Sequence, residues 1–425
     1  MGVTIATTRV ASNTSTGNQT ITTADLGGLT PVAATFIITR ATSDGTAADH
    51  ASMGIGFAVS SSERLAVATS DEHGQGAADT YRRATEDECV MILNPTDGSV
   101  DGEADFVSFS ADGCTINWGN APASAYLLTV IFFAGTDVSA HVDTFAASGT
   151  EDASVDVTDP GFEPDVVFVA SHRSAWDDSV ISNSALSWGC AVNDGADTNF
   201  SVNLSGDDGA GSAVNAENSR SNRAAMNIFT SSEFGSYQLN TFDASGFSVT
   251  TKESAAGGTY GYLALNFNGA ASVWLGDISS PTSTGDDAEA NPGFTPQAVI
   301  AGFGRDPTFS DTQTNNQQTD VYSVGVGVTT ATAEFSNMFT SEDGVTTMNT
   351  QSLSDDVFVN QQPDGGGTTD DVVGTGPPGS GSFDASTGFT INYSAVDTGS
   401  AYAYWGVAIE ATAAAAARRI FITSS

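Results

Sequence analysis

Three arginines offer the most specific chemistry in this chain. Arg40, Arg173 and Arg305 each stand nine residues after a proline, namely Pro31, Pro164 and Pro296. A guanidinium is a planar, permanently charged fork that takes a carboxylate or phosphate through two parallel hydrogen bonds. The chain has only 11 arginines and one lysine, Lys252, so three at a common spacing exceed what composition supplies. Two chemistries fit them. One is structural, with the guanidinium tying a strand end to a carboxylate. The other is recognition of an anion or glycan, best furnished around Arg173, where His172, Trp176, Asp177 and Asp178 share a short stretch. There an indole would stack on a sugar face while Arg and Asp bond its hydroxyls. The candidate binding residues are therefore Arg40, His172, Arg173, Trp176, Asp177 and Arg305.

Catalytic patterns are missing. There is no P-loop, no H-E-x-x-H and no G-x-S-x-G elbow. His50, His73, His141 and His172 fall at unrelated positions. Among 51 acidic residues, paired carboxylates arise everywhere and do not single out a glycosidase. The expectation is a non-enzyme with no catalytic residues and no cofactor. Cys89, Cys114 and Cys190 show no C-x-x-C spacing, so neither a disulfide framework nor a zinc site is indicated. No D-x-D-x-D-G loop calls for calcium or magnesium.

The elements that would position these residues recur along the chain. Gly161-Phe162-Glu163-Pro164, followed by Val166, Val167 and Phe168, returns as Gly293-Phe294-Thr295-Pro296, followed by Ala298, Val299 and Ile300. Gly28-Leu29-Thr30-Pro31 is an earlier version, and the three prolines are 133 and 132 residues apart. A glycine inside an apolar strand follows each proline, at Gly56, Gly189 and Gly325. A turn comes next: Phe109-Ser110-Ala111-Asp112-Gly113-Cys114, Phe242-Asp243-Ala244-Ser245-Gly246-Phe247, and Phe383-Asp384-Ala385-Ser386-Thr387-Gly388-Phe389. Asp, Ser and Gly between strand-like runs read as hairpin turns. Each copy closes on an apolar strand that begins at an aromatic, Tyr126, Tyr260 or Tyr402.

The runs are short, rich in Val, Ile, Phe and Thr, and punctuated by Gly, Asp and Asn, which predicts sandwiches or barrels. The fold expected is all-β, with three tandem, mutually homologous antiparallel β-sandwich (jelly-roll-like) modules. They span 1–137, 138–270 and 271–411, followed by a tail at 412–425 expected to dock on a neighbour, with a short helix from Ala413 to Arg419 as the alternative. Gly135 to Asp159 and Gly269 to Asn291 read as linkers, while Gly206 to Asn222 and Gln361 to Ser382 read as loop insertions. Cys114 and Cys190 fall at positions that are apolar in the other copies and read as core fillers.

Charge excludes whole classes of partner. The chain carries 51 acidic and 12 basic residues, a formal net charge of −39. No cationic stripe is available for nucleic acid. No run approaches the ~20 apolar residues of a membrane helix. The N-terminus lacks a signal peptide's basic start and apolar run, which predicts synthesis in a cytoplasm without export. Such a surface repels itself in dilute buffer. Concentrated salt relieves that repulsion, the Debye length falling to about 3 Å at 1 M. Acid in place of lysine reads as adaptation to brine, so monovalent salt is an expected requirement.

The G-F-x-P-x-x-V opening (161–168, 293–300), the F-D-x-x-G-F turn (242–247, 383–389) and the aromatic closing strand (260–267, 402–409) resemble a module of structural and tail-fibre proteins of tailed viruses. The first copy departs from it at Leu29 and Cys114. With the salt-adapted surface, the resemblance implies a virus of halophilic archaea and a place on the virion surface, as capsid turret, spike or fibre. The implied partners are further copies of the chain, other capsid or tail proteins, and a host surface glycan or glycoprotein. An envelope polysaccharide depolymerase and an acidic cell-surface adhesin are the competing expectations.

Overall fold

The computed structural model describes residues 2–172, 176–196, 198–211, 215–229, 232–254, 258–289, 292–309, 321–342, 347–361, 372–384 and 388–410. The proposed C-terminal helix and tail lie outside these residues. Apart from one 3-10 turn at Ala24–Leu26, the regular structure among the described residues is antiparallel β-sheet. Six sheets stack in pairs as three sandwiches.

In the larger sheet of the first sandwich its own strands lie in the order Thr4–Ala11, Leu127–Ala134, Pro31–Thr39, Ala51–Ser60, Glu63–Asp71, Thr80–Thr85. That of the second runs Ser139–Ala146, Thr259–Asn266, Val166–Ser171, Ser184–Val192, Thr198–Gly206, Asn215–Ser221. That of the third runs Val273–Ser279, Ala403–Glu410, Pro296–Phe303, Val321–Thr330, Glu334–Glu342, Thr350–Asp355. In each, the first and last strands of the stretch lie side by side, and successive hairpins run outward from them. A jelly roll would pass from sheet to sheet. Here Pro31–Thr39, Ala51–Ser60, Glu63–Asp71 and Thr80–Thr85 of the first sandwich, and their counterparts in the other two, lie in succession as neighbours in one sheet.

The smaller sheets also share an order. They run Gly17–Thr22, Gly113–Asn120, Val100–Ser110, Val90–Leu93 in the first sandwich and Ser154–Val157, Gly246–Ser254, Ser232–Asp243, Ala225–Phe229 in the second. The third has Gly285–Glu289, Gly388–Ala395, Val372–Thr375, Val359–Gln361, with Ser382–Asp384 beside Gly388–Ala395. The stretches read as linkers therefore hold sheet strands, Ser139–Ala146 and Ser154–Val157, then Val273–Ser279 and Gly285–Glu289. The 206–222 stretch is not a loop insertion either, since it contains the edge strand Asn215–Ser221. Polar composition misleads there because the strand's buried residues, Glu217, Asn218, Ser219 and Arg220, are themselves polar.

Each sandwich has its own interior. In the first, Phe36, Ile38, Leu128, Val130 and Phe132 meet Ile92, Phe106, Ile116 and Trp118. Cys89, Cys114 and Cys190 are free and buried, the first two in this interior and Cys190 on the opposite face of its sheet. A recurrent close approach sets sheet against sheet. Gly56, Gly189 and Gly327 pair with Phe36, Val169 and Ala301, each five residues past its proline. A Cβ at these glycines would collide with the carbonyl oxygens of Cys89, Ala224 and Phe358, the residues just before Val90–Leu93, Ala225–Phe229 and Val359–Gln361. The third glycine of this set is thus Gly327 rather than Gly325, which lies against the Phe303 ring.

The opposite faces of the three larger sheets close on one central core. Trp188 of the second sandwich lies 5.4 Å from Phe168, 6.1 Å from Phe57 of the first and 5.8 Å from Trp405 of the third, centroid to centroid. Burial on both faces explains why Leu127–Ala134 is apolar but for Thr129. The contacts run in a cycle: Thr4–Ala11 packs on Val321–Thr330, Ser139–Ala146 on Glu63–Asp71, and Val273–Ser279 on Thr198–Gly206.

Candidate functional site

The residues with unusual chemistry gather at the three junctions between sandwiches. Between its Pro31–Thr39 and Ala51–Ser60 strands, the chain crosses to the third sandwich, where Ala48–Asp49 pairs with Thr350–Asp355. Between Val166–Ser171 and Ser184–Val192 it crosses to the first, where Ile181–Ser182 pairs with Thr80–Thr85. The two crossings use matching bonds. Asp178 and Gly45, at φ of 64° and 66°, give their amides to the carbonyls of Ala84 and Ser354 at 3.1 and 2.9 Å. Asn183 and His50, at φ of 73° and 69°, give theirs to Thr80 and Thr350 at 2.8 and 3.1 Å. After Pro296–Phe303, residues Gly304, Arg305 and Asp306 reach the second sandwich in the same sense.

One register position supplies the side chain that receives each crossing. Arg82, Glu217 and Ser352 pair with Thr69, Leu204 and Phe339, which stand three residues beyond the strand partners of Gly56, Gly189 and Gly327. All three are buried, and each uses different chemistry. Arg82 donates to the carbonyls of Ser182 (2.8 Å) and Asn183. The Glu217 carboxylate accepts from the amides of Arg305 and Ser323, the latter at 2.8 Å. The Ser352 hydroxyl accepts from the Ser52 amide at 2.8 Å and faces the carbonyls of His50 and Ser52 at 3.2 and 3.1 Å. Burial, reinforced by Asp306, pushes the Glu217 carboxyl well up from its ordinary value. Asp306 is also raised by burial, while it accepts from the Ser219 amide.

The sequence-marked residues do not form one cluster. Arg40 pairs with Asp101 at 2.7 Å and lies 4.9 Å from the centre of the Tyr126 ring, whose hydroxyl donates to the same carboxylate at 3.0 Å. In the third sandwich Arg305 lies 5.9 Å from the Tyr402 ring, whose hydroxyl donates to Asp397 at 2.6 Å. Burial works to raise the Asp397 carboxyl, but bonds from Tyr402, Gly399 and Ser400, with the Arg305 charge, hold it below the usual range. Backbone bonds from Ser12, Ala147 and Ser280 to the carbonyls of Tyr126, Gly258 and Tyr402 show that Gly258, not Tyr260, stands where these tyrosines do. Arg173 lies outside the described residues.

Neighbouring members of the Arg173 stretch face the first sandwich. His172 is buried, its ring stacked on Trp176 at 5.9 Å; burial, then the charge of Arg82, lowers its pKa to about 3. Trp176 is half-buried, donates to the Thr259 carbonyl at 2.9 Å and lies against Gly261 beside Leu65. Asp178 pairs with Arg83 at 2.8 Å, which leaves Asp177 exposed, its carboxylate taken by the Ser179 amide at 3.2 Å. Sequence reasoning passed over Arg82, Glu217, Ser352, Asp71 and Asp306. The offsets of Arg82, Glu217 and Ser352 from the colliding glycines differ, 26, 28 and 25 residues, so only the strand registers show that these three hold one position. No family model matches the chain, and no curated protein is similar to it.

Proposed function

We propose that this chain is a non-enzymatic structural protein of a virion exterior, a turret, spike or tail fibre of a tailed virus whose host lives in concentrated salt. On this reading 1–137, 138–270 and 271–411 are homologous modules arisen by duplication. The observation that carries it is the ring of three sandwiches with repeated strand order, closed by matching crossings around one core. Like subunits joined head to tail in a closed cycle are how trimers are built. A single chain that does this fixes stoichiometry and register by covalent connection, which suits a rigid decorating block. The net charge of −39 keeps such a block hydrated and apart from its neighbours in brine. Its partners are other copies, capsid or tail proteins, and a host glycan met by exposed groups such as Asp177.

Immunogold labelling with antibody against the purified chain tests this. Label on particles shed by a haloarchaeal culture is expected; label confined to cell envelopes would overturn it in favour of an adhesin. Incubation with envelope polysaccharide is expected to give binding without fragments, and released oligosaccharides would replace the reading with a depolymerase.

A further inference from the structure

The seam between the first and third sandwiches differs from the other two. Consecutive strands carry the chain from the first sandwich into the second, Leu127–Ala134 to Ser139–Ala146, and from the second into the third, Thr259–Asn266 to Val273–Ser279. No such passage joins the third to the first, which meet through noncovalent contacts such as Thr4–Ala11 on Val321–Thr330. The Gln297 side chain bridges this seam, accepting from the Ile5 amide at 3.0 Å and donating to the Glu410 carbonyl at 2.7 Å. It also lines a cleft of about 390 Å³, walled by Ile5 and Asp25 of the first sandwich and by Pro296, Ala331, Thr332 and Phe383 of the third. Ile5, Pro296, Ala331 and the half-buried Phe383 give the cleft apolar surface. Asp25 gives it charge. This carboxylate is exposed and accepts from the hydroxyls of Thr332 at 2.7 Å and Thr23 at 3.3 Å, and among the described residues no basic group pairs with it.

An occupant that matches both features carries apolar side chains beside a cation. With 51 acidic and 12 basic residues such segments are scarce in this chain, yet one follows directly from the wall of the cleft. Glu410, the strand partner of Pro296, is succeeded by residues 411–425, which contain Arg418-Arg419-Ile420-Phe421-Ile422 and no acid. We propose that Arg418 to Ile422 docks in this cleft on its own chain, the apolar side chains against Phe383 and Pro296 and an arginine on Asp25, and so straps the third sandwich to the first. Binding pockets run about 300–1,000 Å³, so the cleft has room for an aromatic and an aliphatic side chain. Residues 411–417 reach about 25 Å when extended, enough to leave Glu410 and turn back. So short a tether gives an effective concentration on the order of millimolar, which favours the same chain over a second copy. In molar salt charges are screened beyond about 3 Å, so apolar contact supplies the affinity and the arginine–carboxylate pair sets the orientation. The strap concerns how the ring is closed and is independent of where the protein acts.

The full chain, made with photoreactive benzoylphenylalanine in place of Phe421, should be irradiated in molar salt and its adducts mapped by peptide mass spectrometry. Adducts on Ile5, Pro296, Ala331 or Phe383 within a single chain are expected. Adducts elsewhere, or none, would overturn the docking, and adducts confined to crosslinked dimers would overturn its assignment to the same chain. Competition gives a second reading. A labelled peptide, Arg-Arg-Ile-Phe-Ile-Thr-Ser-Ser, should bind the Phe421→Asp chain about tenfold or more tightly than wild type, whose own segment fills the cleft. Adding Ala331→Arg, a change at an exposed position on the cleft wall, should abolish that binding. No binding to either chain, equal affinity for both, or binding untouched by Ala331→Arg would overturn the strap.

Discussion

Arg82, Glu217 and Ser352 do one job with three chemistries, and the difference has a use. Carbonyls meet a guanidinium, amides meet a carboxylate, and a hydroxyl serves a mixed set. A crossing placed at the wrong junction would leave buried groups unpaired, so each junction favours its own partner. Arg82→Ala should strand the Ser182 and Asn183 carbonyls and lower unfolding free energy by about 2–4 kcal/mol, read from denaturant midpoints. Titration follows from burial as well. Burial raises Glu88 to about 8 and Glu334 to about 7, so the folded state holds protons that the unfolded state releases. Their contribution is complete below the unfolded carboxyl pKa and is lost as pH rises through the folded values. His172 acts oppositely, losing stability as pH falls from about 6.5 toward its lowered pKa. Between about pH 6.5 and 8 the carboxylates act alone, so the melting temperature at fixed high salt should fall across that window.

At the scale of elements, much was legible because strand chemistry is local. Period and composition give short β-strands, and the turns at Ala111-Asp112 and Ala244-Ser245 close hairpins between Ser110 and Gly113 and between Asp243 and Gly246. The strand Asn215–Ser221 was illegible, because most of its buried residues are polar and the groups that satisfy Glu217 and Ser219, on Arg305, Ser323 and Asp306, come from distant sequence. The crossings were hidden for a similar reason, since Ala48–Asp49 and Ile181–Ser182 are two-residue strands with no pattern of their own. The colliding glycines make the sharpest test of how the sheets pack. Gly189→Val would drive a side chain into the Ala224 carbonyl, and a loss of about 3 kcal/mol or more is expected in thermal unfolding. Gly195→Ser, in an exposed turn at φ 79°, should cost far less.

For the whole molecule, the central core makes the sandwiches interdependent. Phe57 and Phe133 of the first are covered by residues of the second and third. A fragment ending at residue 137 would expose that face, and analytical ultracentrifugation should find it self-associated rather than monomeric. Charge acts at the same scale. With −39 spread over one closed block, the melting temperature should drop steeply as salt falls from about 1 M to 0.1 M. A flat profile would remove the argument for brine.

The amino-acid sequence by itself determined the all-β class, the short antiparallel strands, the hairpin turns and the acidic coat, because each depends on neighbours along the chain or on composition alone. Arg40 was also within reach, since a strand-end guanidinium with few lysines to compete finds a carboxylate, and Asp101 is that partner. Only the tertiary structure decided that the larger sheets share one core, that Trp176 packs at a junction, and that Asp71 is buried. Those facts depend on which surfaces meet across more than a hundred residues of chain, and burial of apolar faces, which is non-directional, leaves no local pattern to announce its partner.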